Sequence, residues 1–105
     1  MSKRDKILLQ WLKAKEEQFE TVDSVLSHYG FMLVSRSGSH CTYAHPKLSE
    51  TYARLKGIDD DLKKRFGPEG LLTIPIRGGQ KVAGVYLRNI LAAIEIIGRE
   101  GKDDG

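Results

Sequence analysis

A short turn between two strand-forming runs is the feature that most limits how this chain can fold. Residues 31–34 are apolar, residues 41–46 form a second run, and Ser37-Gly38 lies between them. Serine and glycine suit a tight turn, because glycine reaches positive φ at little cost. The pattern predicts a β-hairpin that turns at Ser37-Gly38, with His40 near the start of its second strand.

Alternation along the second strand divides its side chains between two faces. His40 and Thr42 share one face, whereas Cys41 and Tyr43 share the other. Cys41 and Tyr43 are the better core candidates, which leaves His40 on the open face. An imidazole there lies on rigid backbone yet meets solvent, which suits a group that contacts a substrate and exchanges protons. The alternative is a hairpin histidine that only makes structural hydrogen bonds.

Apolar residues at helical spacing predict three helices. The first lies in the N-terminal extension, residues 1–20, and a polar joint at residues 16–18 follows its apolar stripe. Thr21 is the expected N-cap of the second, which ends at Gly30, and Gly98 is the expected end of the third. The three apolar stripes are Ile7, Leu8, Trp11 and Leu12; Val22, Val25, Leu26 and Tyr29; and Leu87, Ile90, Leu91, Ile94 and Ile97.

The remaining segments complete an α+β domain. Residues 71–74 predict a third strand that Pro75 closes, and residues 77–81 predict a flexible basic loop. The order α-α-β-β-β-α predicts a three-stranded antiparallel sheet with helices packed on one face. A chain of 105 residues suits a single domain over residues 1–105. Within it we expect a helical extension at 1–20, an excursion from the compact domain at 48–70, and a flexible tail at 99–105.

Charge is unevenly distributed, although the net charge is only +3. Residues 25–48 and 71–93 contain no carboxylate but include Arg36, Lys47, Arg77, Lys81 and Arg88. A surface of one sign formed from two separated segments is expected of a phosphate binder, and ordinary charge scatter is the alternative.

Composition also predicts the compartment. No apolar run approaches the roughly 18 residues of a membrane-spanning helix, and the first residues are not typical of a signal peptide. The single cysteine, Cys41, cannot form an internal disulfide. We therefore expect a cytoplasmic protein with no membrane partner.

Several of these features together resemble the HicA-type toxins of HicA-HicB toxin-antitoxin systems. The resemblance covers about residues 22–97 and is interrupted at residues 48–70. The Gly-Ser-His element between strand residues is its most specific part. The residues that carry it are Gly30-Phe31, Gly38-Ser39-His40, Tyr43, His45-Pro46, Ile74-Pro75, the Gly-rich loop with Lys81, and Tyr86-Leu87-Arg88.

The resemblance implies a double-stranded RNA-binding-domain-like α-β-β-β-α core, to which this chain adds an N-terminal helix. It further implies an endoribonuclease that cleaves mRNA, arrests translation and is neutralised by a HicB-like antitoxin. His40 aligns with the histidine on which family activity depends. Cys41 stands where a second histidine is common, and Arg77 stands where many members have histidine.

The chemistry of His40 can also be argued from the residue itself. RNA carries its own nucleophile, the 2′-OH, and an imidazole can take its proton without a metal or other cofactor. His45, five residues further on, faces the other side of the strand, so Lys81 or solvent is the expected general acid. The expected RNA-binding residues are Ser39, Arg36, Lys47, Arg77, Gly78, Gly79, Lys81 and Arg88.

Other functions fit less well. A metal site at His40 and His45 would need distant ligands, and Gly78-Gly79 lacks the GK[ST] ending of a phosphate loop. Cys41 is expected to be a buried inert thiol rather than a nucleophile. Two alternatives to a ribonuclease stay open. One is a non-catalytic double-stranded RNA-binding module, and the other is a protein-interaction domain that binds no RNA. The oligomeric state is left open.

Overall fold

The computed structural model describes residues 2–102, and over that range the protein has the predicted α+β architecture, with five helices where the sequence predicted three. None of those helices combines the length and the apolar character needed to cross a membrane. The elements in chain order are α1 (Lys3–Trp11), β1 (Glu16–Gln18), α2 (Phe19–His28), β2 (Met32–Ser37), β3 (His40–Ala44), α3 (Pro46–Leu55), α4 (Asp60–Phe66), β4 (Leu72–Pro75), β5 (Lys81–Ala83) and α5 (Gly84–Lys102).

The predicted three-stranded antiparallel sheet is present, in the order β2-β3-β4. Ser37 pairs with His40, so Gly38 and Ser39 form the two-residue turn, one position later than predicted. Gly38 has φ 58°, a left-handed conformation that glycine adopts at little cost. The hairpin prediction is confirmed, and His40 is the first residue of β3.

The two faces of the sheet also divide as predicted. Cys41 and Tyr43 are buried, whereas His40 is exposed and Thr42 is half-buried. The Tyr43 hydroxyl donates a 2.6 Å hydrogen bond to Asp23 Oδ1 on α2. Burial first, and then this carboxylate, raises the pKa of Tyr43. The hydrogen bond ties α2 to the middle strand of the sheet.

A second, two-stranded sheet joins β1 to β5, so the predicted polar joint at residues 16–18 was wrong. Each strand has three residues, too few for a recognisable alternation of apolar and polar side chains. The start of α2 was also misplaced. It begins at Phe19, directly after β1, and its N-cap Gln18 makes no side-chain hydrogen bond.

Residues 48–70 are not the excursion that we predicted. They form most of α3 and all of α4, which pack against the rest of the domain through Leu48, Tyr52, Leu62 and Phe66. In each helix the two buried apolar side chains are four residues apart, so they lie on one face. This segment therefore contributes to the core.

Helices occupy both ends of the described residues. Trp11 is buried, and its indole N–H donates to Glu17 Oε1 at 3.0 Å, which attaches α1 to β1. Gly98 does not end the last helix, because α5 continues to Lys102. A glycine inside a helix costs only about 1 kcal/mol, which the packing of a long helix can offset. Of the predicted tail, residues 103–105 lie outside the described residues.

Candidate functional site

His40 lies on the open face of the sheet, at the end where the hairpin turns. It is opposite Ser37 on β2 and opposite Pro75 on β4, and its side chain is exposed. The Ile76 N–H donates to the Ser39 carbonyl at 2.7 Å and extends the backbone pairing past the last residue of β4. The backbone that carries the imidazole is therefore held by strands on both sides.

Hydroxyl groups occupy the next row of the same face. Thr42 is paired with Ser35 on β2 and with Thr73 on β4. The Thr42 and Thr73 hydroxyl oxygens are 3.3 Å apart, within hydrogen-bonding distance. This row was missed as a candidate site, although Ser35 and Ser37 at alternate positions were a signal for it. Such hydroxyls can bond to ribose or phosphate oxygens beside His40.

Arg77 follows β4 at this end of the open face. Pro75 pairs with His40 and Ile76 is buried, so alternation puts the exposed Arg77 on the open side. Its N–H donates to the Lys81 carbonyl at 2.7 Å, and the Lys81 N–H donates to the Arg77 carbonyl at 3.0 Å. The predicted flexible loop is thus a hydrogen-bonded turn.

Gly78 and Gly79 form the tip of this turn, with φ values of 57° and 74°. A Cβ added at either position would meet no atom within 4 Å, so the tip is open to an approaching molecule. Backbone N–H groups in such a turn can bind an anion. Both glycines stay in the candidate site as amide donors.

Lys81 follows the turn but points toward β1. Its Nζ is 3.4 Å from Glu16 Oε2, and both side chains are close to half exposed. Exposed ion pairs contribute at most about 1 kcal/mol, so an incoming phosphate can compete with Glu16. Lys81 is therefore a second cation of the site, available when a phosphate displaces Glu16.

Two other expected RNA-binding residues lie away from His40. Arg36 pairs with Cys41 and thus belongs to the opposite face, where its guanidinium carbon is 5.9 Å from the centre of the Phe19 ring. Lys47 is in the first turn of α3, beyond the far end of β3. Strand rise alone puts about 13 Å between the two ends of β3.

Arg88 supports the N-terminal segment of the fold. Its Nη1 donates to the carbonyl oxygens of Trp11, Leu12 and Ala14 at 3.3, 3.4 and 3.1 Å. The Trp11 carbonyl belongs to the last turn of α1 and the other two follow that helix, where carbonyls lack helical partners. The structure thus gives Arg88 a capping position on α1 and does not bring it to His40.

His45 has a structural position at the start of α3. Its Nδ1 accepts a 3.1 Å hydrogen bond from the Lys47 N–H, and its ring centre is 5.1 Å from that of Phe31. Burial is the main cause that lowers the pKa of His45 below its ordinary value of 6.5; Lys47 lowers it further, and a Tyr29 backbone hydrogen bond opposes both. The N-cap requires the neutral ring, because protonated Nδ1 cannot accept.

We expect stability to depend on pH through His45. Because its pKa is lowered in the folded state, its contribution is complete above pH 6.5 and is lost as pH falls through the folded-state value. His45→Ala should cost about 1 kcal/mol at pH 7.5 through loss of the cap. His45→Asn should keep a cap and remove the pH dependence. Urea unfolding at pH 7.5 and 5.5 tests this, and an equal pH-dependent loss in wild type and His45→Asn would contradict it.

The described residues contain no group of three or more histidine, cysteine, aspartate or glutamate side chains arranged to hold a metal ion. The candidate site consists of the His40 imidazole, the row of hydroxyls beside it, Arg77, and the open backbone amides of the Gly78-Gly79 turn. Comparisons with protein families, curated proteins and solved structures found no match for the chain.

Proposed function

We propose that this protein is a HicA-like endoribonuclease that cleaves mRNA with His40 and thereby arrests translation. The observation that carries the proposal is the exposed imidazole at the hairpin end of an open sheet face. Strands β2, β3 and β4 contain no carboxylate, so these three strands place no negative charge on that face to repel a phosphate backbone. Arg77 and the glycine turn lie at the same end.

The element order supports the same family. Elements α2, β2, β3, β4 and α5 follow the α-β-β-β-α order of a double-stranded RNA-binding-domain-like fold. Relative to that order the chain adds α1 and β1 before it, α3 and α4 between β3 and β4, and β5 before α5. The Gly-Ser-His element lies at the β2–β3 turn, where the resemblance requires it.

The proposed reaction uses the 2′-OH of RNA as nucleophile. His40 removes its proton while O2′ bonds to the adjacent phosphorus and the bond from phosphorus to O5′ breaks. The products are a 2′,3′-cyclic phosphate and a free 5′-hydroxyl, whose oxygen takes a proton from solvent. Arg77 and the Gly78 and Gly79 amides offset the negative charge that gathers on phosphorus-bound oxygens, with Ser39 and Lys81 beside them.

This mechanism predicts cleavage that needs no added metal but needs the 2′-OH. In chelator, a labelled mRNA fragment should be cut and carry cyclic phosphate or 3′-phosphate ends. A version with 2′-deoxyribose at the mapped cut site should bind with similar affinity and stay intact. Gel analysis of both substrates tests this. Loss of cutting in chelator, or cutting of the deoxy version, would contradict it.

A non-catalytic double-stranded RNA-binding module is the second candidate. It is favoured by the position of His45, which caps α3 and leaves the open face without a second imidazole to act as general acid. In that case the chain would bind RNA with an affinity that falls steeply with salt. The RNA would stay intact with wild type and with His40→Ala alike.

The proposal includes a HicB-like antitoxin and a cytoplasmic setting. An antitoxin that covers the open face would block RNA from His40. Expression of the chain alone should then arrest growth, and co-expression of an antitoxin encoded beside it should restore growth. Growth arrest that persists with His40→Ala would argue against the enzyme.

A further inference from the structure

A cavity borders the glycine turn of the candidate site. Its volume is about 500 Å³, within the range of about 300–1,000 Å³ that is typical of small-ligand sites. Gly79, at the tip of the turn whose amides are proposed to bind phosphate, is part of its wall. The cavity is therefore next to the proposed RNA site. The residues that line it are Gln18, Phe19, Glu20, Gly79 and Gln80.

Backbone hydrogen bonds hold the walls of this cavity together. The Phe19 N–H donates to the Gln80 carbonyl oxygen at 2.7 Å. Gln18 pairs with Lys81, the residue that follows Gln80, in the sheet that joins β1 to β5. The half-buried Phe19 ring and the two glutamine side chains therefore extend from bonded backbone, which lowers the cost of ordering the site when a ligand binds.

The cavity lies at the hairpin end of the three-stranded sheet, as His40 does. Arg36 pairs with Cys41 next to the hairpin turn, and its guanidinium carbon is 5.9 Å from the centre of the Phe19 ring. Phe19 is therefore beside the same turn that places His40 at the start of β3. An RNA strand that contacts His40 thus has this cavity at the same end of the sheet.

The side chains of the cavity have the chemistry of a base-binding site. Unpaired RNA bases stack on aromatic rings, and Phe19 supplies one. Gln18, Glu20 and Gln80 are exposed, and their side chains form no hydrogen bond or ion pair with another described residue. Their amides and carboxylate are therefore free to bond to the edge of a base. The described residues that line the cavity include no cation, and Glu20 is negative, so phosphate is a poor occupant.

We infer that this cavity binds a guanine base of the RNA substrate. Guanine presents two neighbouring donors on its Watson–Crick edge, N1–H and the 2-amino group, and the Glu20 carboxylate can accept from both. Adenine presents an acceptor in place of N1–H, which the carboxylate repels. The Gln18 and Gln80 amides can donate to guanine O6. This inference rests on the proposed function, because it takes RNA as the ligand.

The test measures binding of fluorescein-labelled 2′-O-methyl pentanucleotides, which lack the 2′-OH nucleophile and therefore stay intact. They have the form UUXUU, in which X is guanine, hypoxanthine, adenine or uracil. Fluorescence anisotropy with the full chain should show binding of the guanine form about tenfold tighter than that of the adenine and uracil forms, as expected for one bidentate contact. The hypoxanthine form lacks the 2-amino group and should bind with intermediate affinity.

Variants assign the preference to the cavity. Glu20→Gln should abolish the preference for guanine over adenine, because the amide has one acceptor oxygen in place of two. Glu50→Gln, the same change at an exposed residue of α3 outside the cavity, should keep it. Phe19→Leu should weaken binding of every form by about tenfold through loss of stacking. Circular dichroism checks the fold of each variant, and Glu20→Gln decides by itself if Phe19→Leu does not fold.

Equal affinity for the guanine and adenine forms overturns the inference, and so does a guanine preference that survives Glu20→Gln. Free GMP that competes as well as the unlabelled guanine pentanucleotide would assign the cavity to a free nucleotide and also overturn it. Cleavage of the all-RNA forms is measured separately. Cutting without base preference would leave the ribonuclease standing and the guanine site refuted. If the RNA stays uncut while Glu20→Gln removes the guanine preference in binding, the ribonuclease fails and the guanine site stands.

Discussion

Replacement of His40 by alanine is expected to lower the rate of RNA cleavage by about 10²- to 10⁴-fold, the range for loss of a general base. The side chain is exposed and makes none of the hydrogen bonds that hold the hairpin, which are backbone bonds. The free energy of unfolding should therefore change by less than about 0.5 kcal/mol. Single-turnover cleavage of a labelled mRNA fragment, with urea unfolding in parallel, measures both quantities.

His28→Ala is the matched control. This histidine is also exposed but lies in the last turn of α2, where its ring contacts Tyr29. Cleavage should stay within about twofold of wild type, since loss of one exposed imidazole changes the overall charge little. If His40→Ala cleaves as fast as His28→Ala, the imidazole is not the base. If His40→Ala binds RNA as tightly as wild type does, its lower cleavage rate reflects the chemical step rather than binding.

The hairpin and its faces could be predicted because their signal is local. Glycine at the turn and alternation along residues 40–44 are properties of neighbouring residues, and burial of Cys41 and Tyr43 followed from them. The same alternation placed His40 on the open face. The third strand at 72–75 was also recognisable, because an apolar run ends at a proline.

The parts that failed depend on distant partners. Pairing of β1 with β5 joins residues more than sixty positions apart through three-residue strands, which leave no periodic signal. Residues 48–70 form two short helices that each bury only two apolar side chains. So few apolar residues give a weak helical periodicity, which the many charged residues beside them obscure.

Two of the expected cations have structural partners that the sequence did not indicate, for a similar reason. Arg88 and Lys81 were expected at RNA because of their charge and because both belong to the residues that resemble the HicA-type toxins. Arg88 instead bonds to carbonyls about 75 residues earlier in the chain, and Lys81 reaches Glu16 on another strand. The partner of a long basic side chain lies across the fold, so local sequence does not determine which basic residues reach the site.

Gly84→Ala is expected to destabilise the protein by about 2 kcal/mol or more, toward the upper range for overpacking. A Cβ at Gly84 would collide with the Ala14 carbonyl oxygen and would lie 2.6 Å from an Arg88 nitrogen. The carbonyl cannot move freely, because it also accepts from Arg88, and the next carbonyl, that of Lys15, accepts from the Gly84 N–H at 2.8 Å. Relief of the collision would separate the α1–β1 segment from α5. For a domain of this size, we expect the thermal midpoint to fall by about 10 °C.

Gly98→Ala is the control that separates packing from helix propensity. Gly98 lies on the same helix, it is exposed, and a Cβ there would meet no atom within 4 Å. Alanine favours helix over glycine by about 1 kcal/mol, so this variant should match or exceed wild-type stability. Both variants replace glycine with alanine. If Gly84→Ala lowers stability and Gly98→Ala does not, the loss comes from the contact with Ala14. If Gly84→Ala unfolds at the wild-type midpoint, or exchanges its β1 amide hydrogens no faster, the close approach of α5 to residues 14–15 does not hold the N-terminal segment in place.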